Sequence, residues 1–374
     1  MARRSLFKSA HTSSSDWAKA VKFCVDGLGS IDPDDNLGFV YCTESFANDL
    51  SSILVFLRQT TRIPHWVGAV GMGVCASGTE YYDGGALAVL VGSLPADAFR
   101  ILPTVFTETE VQSYDTRNWL AAGQAPLGVV HGDPRNPRLS AIIERLSQST
   151  HGFLVGGLTA TRAEDQQVAD TPTGGGISGV LLHPEVAVAV GLSQGCQPVG
   201  PTHIITQAMG NLVVALDGRP ALDVLKEDVG EVLSRNLRQI AGYIHAGLPV
   251  SGSDTKDYLV RNLTGIDLTR GWIAIGDEVA TGDRFMFVRR DANNAQADLR
   301  RMVRELRDRA DGRARGGLYF SCIGRGPHMF GEPGAELALI AQELDGVPIA
   351  GFYANGEINN NRLYSYTGVL ALFL

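Results

Sequence analysis

Two short runs near the carboxyl end of this chain carry side chains suited to holding a small charged molecule. The first is Ser321, Cys322, Arg325 and Gly326; the second is Tyr353, Asn355, Gly356 and Glu357. Each run follows an apolar strand-like segment, and ligands of open α/β sheets bind beyond the carboxyl ends of strands. Arg325 offers a planar fork matched to a carboxylate, and Glu357 offers an acceptor for an ammonium. Together they would clamp a zwitterion such as an amino acid. The flanking Gly324 and Gly326 permit close backbone approach. Arg261, on another strand-like run, has the same fork. A structural account stands beside this one. A buried Arg325 needs some anion in any case, and Glu357 or Asp277 would serve. Glu357 could instead accept backbone N–H bonds and fix its own turn.

Cys322 with His328, six residues on, invites a thiolate-and-base reading. Six residues of loop give neither a depressed pKa nor an oriented base, so a buried, inert thiol and no enzyme activity is the expectation. No Gly-x-Ser-x-Gly elbow and no phosphate loop ending in Gly-Lys-Ser/Thr occurs. The five cysteines, Cys24, Cys42, Cys75, Cys196 and Cys322, are scattered without metal-site spacing, so no metal is expected.

The elements that must position these residues are written three times. The first copy runs Leu37-Gly-Phe-Val-Tyr-Cys42, a helical stretch near 46–59, His65-Trp-Val-Gly-Ala-Val70 and Ala86-Leu-Ala-Val-Leu-Val91. The second runs Leu127-Gly-Val-Val-His-Gly132, a helix near 138–148, Gly152-Phe-Leu-Val-Gly-Gly157 and Val186-Ala-Val-Ala-Val190. The third runs Gly317-Leu-Tyr-Phe-Ser-Cys322, a helix near 334–344, Val347-Pro-Ile-Ala-Gly-Phe352 and Gly368-Val-Leu-Ala-Leu-Phe373. From the first residue of each copy to Gly68, Gly156 or Gly351 the gaps are 31, 29 and 34, which marks a duplicated unit. Continuous apolar strands joined by a helix predict parallel, two-sided buried pairs, with the third strand added as a hairpin partner.

Before the first copy, Asp16 should cap a helix with Trp17, Ala20, Val21, Cys24 and Val25 on one face. Residues 201–290 differ in texture, with Asp217-Gly218 as a turn and strands at 258–262, 272–276 and 284–288. Gln197-Pro-Val-Gly-Pro201 is the expected boundary, and the insert is expected to share a sheet with copy three. The fold class read from this is α/β, two halves (1–200 and 201–374) built from repeated strand–helix–strand–strand units with mixed sheets.

Composition narrows the classes. Of 374 residues, 44% are apolar and 19% charged, enough for sizeable cores. A formal net charge of −8 argues against general nucleic-acid binding. Residues 289–315 hold nine Arg against five acids, read as a solvated mixed-charge helix. Arg3 and Arg4 precede no apolar run, and no stretch approaches the ~20 apolar residues of a membrane span. A cytoplasmic protein without membrane or nucleic-acid partners is expected.

Several strings resemble FIST-domain proteins. They are Asp217-Gly-Arg-Pro-Ala-Leu-Asp-Val-Leu225, Asp257-Tyr-Leu-Val-Arg261, Gly282-Asp-Arg-Phe285, Phe320-Ser-Cys-Ile-Gly-Arg-Gly326 and Ile349-Ala-Gly-Phe-Tyr-Ala-Asn-Gly-Glu-Ile358, all in the carboxyl-terminal half. Trp66-Val-Gly-Ala-Val-Gly-Met-Gly73 and Gly78-Thr-Glu80 resemble the amino-terminal FIST half, with Thr79 interrupting the expected Gly-Glu pair. The resemblance implies an intracellular sensory module that binds a small ligand such as an amino acid. It implies output through a separate partner such as a histidine kinase, with ligand bridging the two halves and shifting a population. Some stand-alone relatives bind haem and sense nitric oxide. With no Cys-x-x-Cys-His here, only non-covalent haem is open, with His245 or His328 as axial ligand. A thiol-dependent enzyme using Cys322 is the reading from a different class.

Overall fold

The computed structural model describes residues 7–111, 118–161, 166–234, 242–250 and 257–374, with side chains of 231–234 left aside. Arg3 and Arg4 lie outside the described residues. Two compact units form: Met1–Ser193 with Gln296–Leu363 and Thr367–Leu374, and Gln194–Ala295 with Tyr364–Tyr366.

In the first unit, copy one consists of β1 (Lys8–Ser13), α1 (Trp17–Leu28), β2 (Leu37–Thr43), α2 (Leu50–Thr61), β3 (His65–Gly71), the hairpin β4 (Val74–Ala76) and β5 (Thr79–Tyr81), and β6 (Ala86–Gly92). Asp16 caps α1 by accepting from the Ala18 and Lys19 amides, as its sequence position predicts. Copy two repeats the plan with β7 (Phe99–Val105), α3 (Glu108–Val111), β8 (Leu127–Gly132), α4 (Leu139–Thr150), β9 (Phe153–Leu158), β10 (Gln167–Ala169), β11 (Thr171–Thr173) and β12 (Ile177–Leu182). Copy three opens with β13 (Val188–Gln194).

The insert of the second unit follows at once. It contains β14 (Cys196–Pro198), β15 (His203–Met209), β16 (Leu212–Leu216), β17 (Arg219–Pro220), α5 (Ala221–Ser234, broken at Gly230), β18 (Ile244–Pro249), β19 (Tyr258–Asp267), β20 (Trp272–Ile275) and β21 (Arg284–Arg290). Strands β15, β16, β20, β19, β18 and β21 pair in that order, and β21 pairs back to β15. Six antiparallel strands thus close a barrel, which leaves no long free edge. Its core joins Ile205, Val213, Ile244, Ile273, Phe285 and Phe287 with Leu222 and Leu225 of α5. The expectation that copy three completes the insert's sheet is corrected: the barrel completes itself.

Copy three then resumes with α6 (Ala292–Ala310), β22 (Gly316–Cys322), α7 (Pro327–Phe330), α8 (Ala335–Glu343), β23 (Ile349–Ala354), β24 (Glu357–Asn359), β25 (Arg362–Tyr364) and β26 (Thr367–Phe373). On α6, Arg300, Arg304 and Arg307 converge on Glu343, and Arg301 bridges Asp298 and Glu305, a neutralised, largely solvated face.

The three sheets share one strand order, and each borrows its last two strands. They run β1-β6-β2-β3-β10-β11, β7-β12-β8-β9-β24-β25 and β13-β26-β22-β23-β4-β5. The hairpin of copy one joins sheet three, that of copy two joins sheet one, and that of copy three joins sheet two. This cyclic exchange corrects two sequence expectations. The last strand of each copy pairs with that copy's first parallel strand rather than forming a hairpin with the second. In copy two that strand is β12, not residues 186–190. Strand β12 lies between β7 and β8 and is buried throughout, whereas β13 is an edge strand with a half-buried pattern.

The repeated glycine has one cause in all three copies. A Cβ on Gly68, Gly156 or Gly351 would lie 1.7–1.8 Å from the carbonyl oxygen of Val40, Val130 or Tyr319 on the parallel neighbour. That contact also equates Val40, Val130 and Tyr319, and so Tyr41, His131 and Phe320 one residue on. The rings of those three meet in the unit's core at 5.5–6.2 Å. Tyr41 Oη lies 3.2 Å from His131 Nε2, and burial lowers the His131 pKa to about 3, so this imidazole is neutral.

Candidate functional site

On the opposite face of each sheet lies a helix: α2, α4 and α8. The first inward positions of α2 and α4 are Leu50 and Leu139, followed by Ile53, Leu54 and Leu57, and by Ile142, Ile143 and Leu146. The same spacing on α8 begins with Glu336, followed by Leu339 and Ile340. Facing it, Tyr319 replaces Val40 and Val130, and Ser321 replaces Cys42 and Gly132. Copy three has therefore exchanged an apolar layer for a charged one.

Glu336 is fully buried and accepts from five donors among the described residues. Tyr319 Oη donates at 2.6 Å, Arg325 Nε at 2.8 Å and Ser321 Oγ at 3.0 Å. The Gly326 amide lies at 3.3 Å and Tyr353 Oη at 3.4 Å. Arg325 is itself 1% exposed. Among the described residues both of its Nη atoms reach only Ser193, each at 3.4 Å, while Phe330 covers the guanidinium. Burial opposes the Arg325 charge, but Glu336, with smaller help from Tyr319 and Glu357, outweighs that penalty and raises its pKa.

A second carboxylate comes from the borrowed hairpin. Glu80, on β5, accepts from Tyr82 Oη at 2.8 Å and from the Leu337 amide in the first turn of α8 at 3.0 Å. Burial, aided by Glu336, raises its pKa. Tyr82 packs on Tyr353 with centroids 4.6 Å apart and planes tilted by 37°, and Gly326 leaves room for its hydroxyl, where a Cβ would come within 2.1 Å. Beneath them, burial and the two carboxylates push the Cys75 pKa well up, so this thiol stays protonated. Gly324 and Tyr82 are half-buried, and Met72 and Ile323 are exposed.

Of the residues singled out from sequence, Ser321, Arg325, Gly326 and Tyr353 meet in this layer. Arg325 is paired, but its anion is Glu336, not Glu357 or Asp277. Glu357 instead accepts from the Thr367 amide and Oγ1 at 3.1 and 2.7 Å, which ties it to the start of β26 rather than to its own turn. It occupies the hairpin position that Gln167 holds in copy two. Burial raises its pKa to about 8, and Cys322 shares a hydrogen bond with it. Asn355 and Gly356 form the turn that exchanges backbone bonds with Leu158. Arg261 belongs to the second unit, where its Nε donates to Asp277 at 2.7 Å. His328 is exposed on the four-residue α7.

Sequence reasoning did not single out Glu336, Tyr319, Tyr82 or Ser193. The available signal was an acid at the first inward position of a helix whose counterparts carry leucine. Glu80 appeared only as a departure from the expected pattern.

The two candidate haem ligands, His245 and His328, lie in different surroundings. His245 Nδ1 contacts Asn262 Oδ1 at 3.2 Å and its Nε2 has no partner among the described residues. The residue is 1% exposed, with its ring 4.8 Å from Tyr366. Three clefts of about 480, 340 and 340 Å³ are lined by other residues. A haem needs a flat apolar slot opening on the ligating nitrogen, and none of these three clefts is lined by His245 or His328. Among the described residues no group of three or more His, Cys, Asp or Glu is placed to hold a metal, and no helix is long and apolar enough to cross a membrane.

The chain is similar to known proteins along most of its length. A FIST N domain model matches residues 36–219 and a FIST C domain model matches 221–360. An uncharacterised protein of Mycobacterium tuberculosis is 34% identical over 349 residues, covering 89% of both chains. One of Mycobacterium bovis is 33% identical over 347 residues, covering 89% of this chain and 88% of its own. Among solved structures, a cyanuric acid hydrolase aligns over 98% of this chain and 99% of its own at 8% identity and a TM-score of 0.38, too slight to carry an argument. The two domain matches join at residue 220, inside the barrel unit. Their order and coverage place the chain in the FIST family of sensory, signal-transduction domains.

Proposed function

We propose that this protein is a FIST-type sensor whose ligand, an amino acid or similar small zwitterion, binds in the charged layer of copy three. The observation that carries this reading is the exchange itself. Copies one and two close the same layer with leucine, isoleucine and valine, and a buried ion pair is weak as a stabiliser. Polar groups kept where an apolar packing demonstrably works point to a use other than stability. Arg325 would take the ligand carboxylate on the Nη edge that Ser193 holds only at 3.4 Å. Glu80 would take the ammonium, and Tyr82 and Tyr353 would flank the ligand body. The layer is closed, so binding requires a state in which Tyr82 swings from Gly326, and ligand would shift the population toward it. Because Glu80 and Tyr82 belong to or directly follow the borrowed hairpin, their displacement would move that hairpin and be read by a separate partner such as a histidine kinase.

The test is native mass spectrometry of fresh protein against its 40.0 kDa chain mass, then thermal shifts across an amino-acid panel. A retained small mass, or a shift with one amino acid that Glu80→Gln abolishes, supports the reading. A bare chain that no panel member stabilises removes it.

A further inference from the structure

The barrel unit contains a second charged cluster that the ligand reading does not use. His203, at the start of β15, is 7% exposed and lies between two carboxylates. Its Nδ1 is 2.7 Å from Asp217 Oδ2, and its Nε2 is 2.9 Å from Asp228 Oδ2. Asp217 sits in the turn between β16 and β17, where its other oxygen accepts the Ile204 amide at 2.8 Å. Asp228 lies on α5 with its side chain 7% exposed, packed so closely on Gly200 that a Cβ there would be 2.4 Å from its carboxyl carbon.

Proton counting decides the state of this ring. An ionised carboxylate only accepts, and a neutral imidazole has one N–H to give. Two ring nitrogens, each at hydrogen-bond distance from the oxygen of an ionised carboxylate, both act as donors, which is the imidazolium. Loss of one proton would set a nitrogen lone pair against a carboxylate. The other charged groups on the elements around it include Asp223 and Lys226 of α5, 3.9 Å apart, Arg219, which pairs with Glu227 at 2.7 Å, Asp283 just before β21, and Arg284, Arg289 and Arg290 of β21. Burial opposes the His203 charge, but Asp217 and Asp228 overcome it and raise its pKa above 6.5.

We propose that His203 is a proton-operated clamp of the barrel unit: as imidazolium it staples α5 and the β16–β17 turn to β15, and it releases them when it loses a proton. The sign follows from the raised pKa. The clamp's contribution is complete below 6.5, the unfolded value, and is lost as pH rises through the folded one. The barrel would then answer to alkalinisation independently of any ligand in the first unit.

The test is an NMR titration of the full chain labelled with ¹⁵N-histidine, from about pH 5 to about pH 9. His203 is identified by the signal lost in His203→Gln or, should that variant not fold, shifted in Asp217→Asn, whose side chain is 49% exposed. The expected result is doubly protonated ring shifts at neutral pH and a midpoint above 6.5 that falls in Asp217→Asn. The melting temperature of the unaltered protein should also drop through that midpoint. A singly protonated ring at neutral pH, or a midpoint at or below 6.5, overturns the proposal.

Discussion

Copies two and three of the repeat solve the same packing problem in opposite ways. Each sets a helix on a sheet built from a parallel pair, a returning strand and a borrowed hairpin. Copy two fills the layer with Leu139, Ile142, Ile143 and Leu146 over Val130 and Gly132. Copy three puts Glu336 where Leu139 stands, with Tyr319, Ser321 and Arg325 turned to meet it. The backbone frame tolerates both because the frame is held elsewhere, by the glycine–carbonyl contact and the ring cluster in the core. A charged layer thus stands in this unit through a few changed inward positions, with the sheet order left intact.

The sharpest way to break the comparison is to attack what the copies share. Gly156→Ala and Gly351→Ala each force a Cβ to 1.8 Å from a carbonyl oxygen, and neither backbone can yield without parting the parallel pair. Both should abolish cooperative unfolding by circular dichroism. A well-folded Gly351→Ala protein would show that the two frames are not equivalent.

Next come the residues that differ. Glu336→Leu leaves Arg325 buried without its anion and should cost about 3–5 kcal/mol in denaturant unfolding. Adding Arg325→Met should recover most of that loss, since a buried pair replaced by apolar groups is often neutral or stabilising. Leu139→Ala, by contrast, should cost about 2–5 kcal/mol with no second-site partner that restores it. If the double variant is no more stable than Glu336→Leu alone, copy three does not share the apolar solution.

Glu357 separates the copies by pH. Its carboxyl, at about 8 in the folded protein against an ordinary 4.5, stays protonated while the unfolded chain ionises. Its contribution to stability should therefore be complete below 4.5 and be lost as pH rises to about 8, by about 1.4 kcal/mol per pH unit at most. Glu357→Gln, which matches Gln167 of copy two, should flatten that slope in melting curves taken across the window. The smallest effect is expected of Tyr82→Phe. It removes one hydrogen bond to Glu80 and should cost about 1 kcal/mol.

Much of this architecture was legible in one dimension. Continuous apolar runs such as Leu37–Cys42, with a glycine at matching distance, announced three parallel pairs, because burial on both faces and a carbonyl pressed on a glycine leave local marks. The Asp16 cap and the mixed-charge helix were legible for the same reason. The pairing of Arg325 was readable only as a need: a buried guanidinium implies an anion, without saying which. Glu336, eleven residues on, looks like any exposed helix acid until the inward face of α8 is known. The exchange of hairpins left no local mark either, since a short strand pairs as well with a neighbouring sheet as with its own.

What the sequence by itself determined was the repeated unit, its buried strands, its glycines and its FIST membership, all written in residue type and spacing. Only the tertiary structure decided that Glu80 of copy one caps the α8 helix of copy three, that Arg325 answers Glu336, and that the insert closes as its own barrel. These are contacts between residues far apart in the chain, 257 positions in the case of Glu80 and Leu337. Their partners are chosen by which surfaces remain to be covered once the sheets have formed, and no local pattern carries that choice.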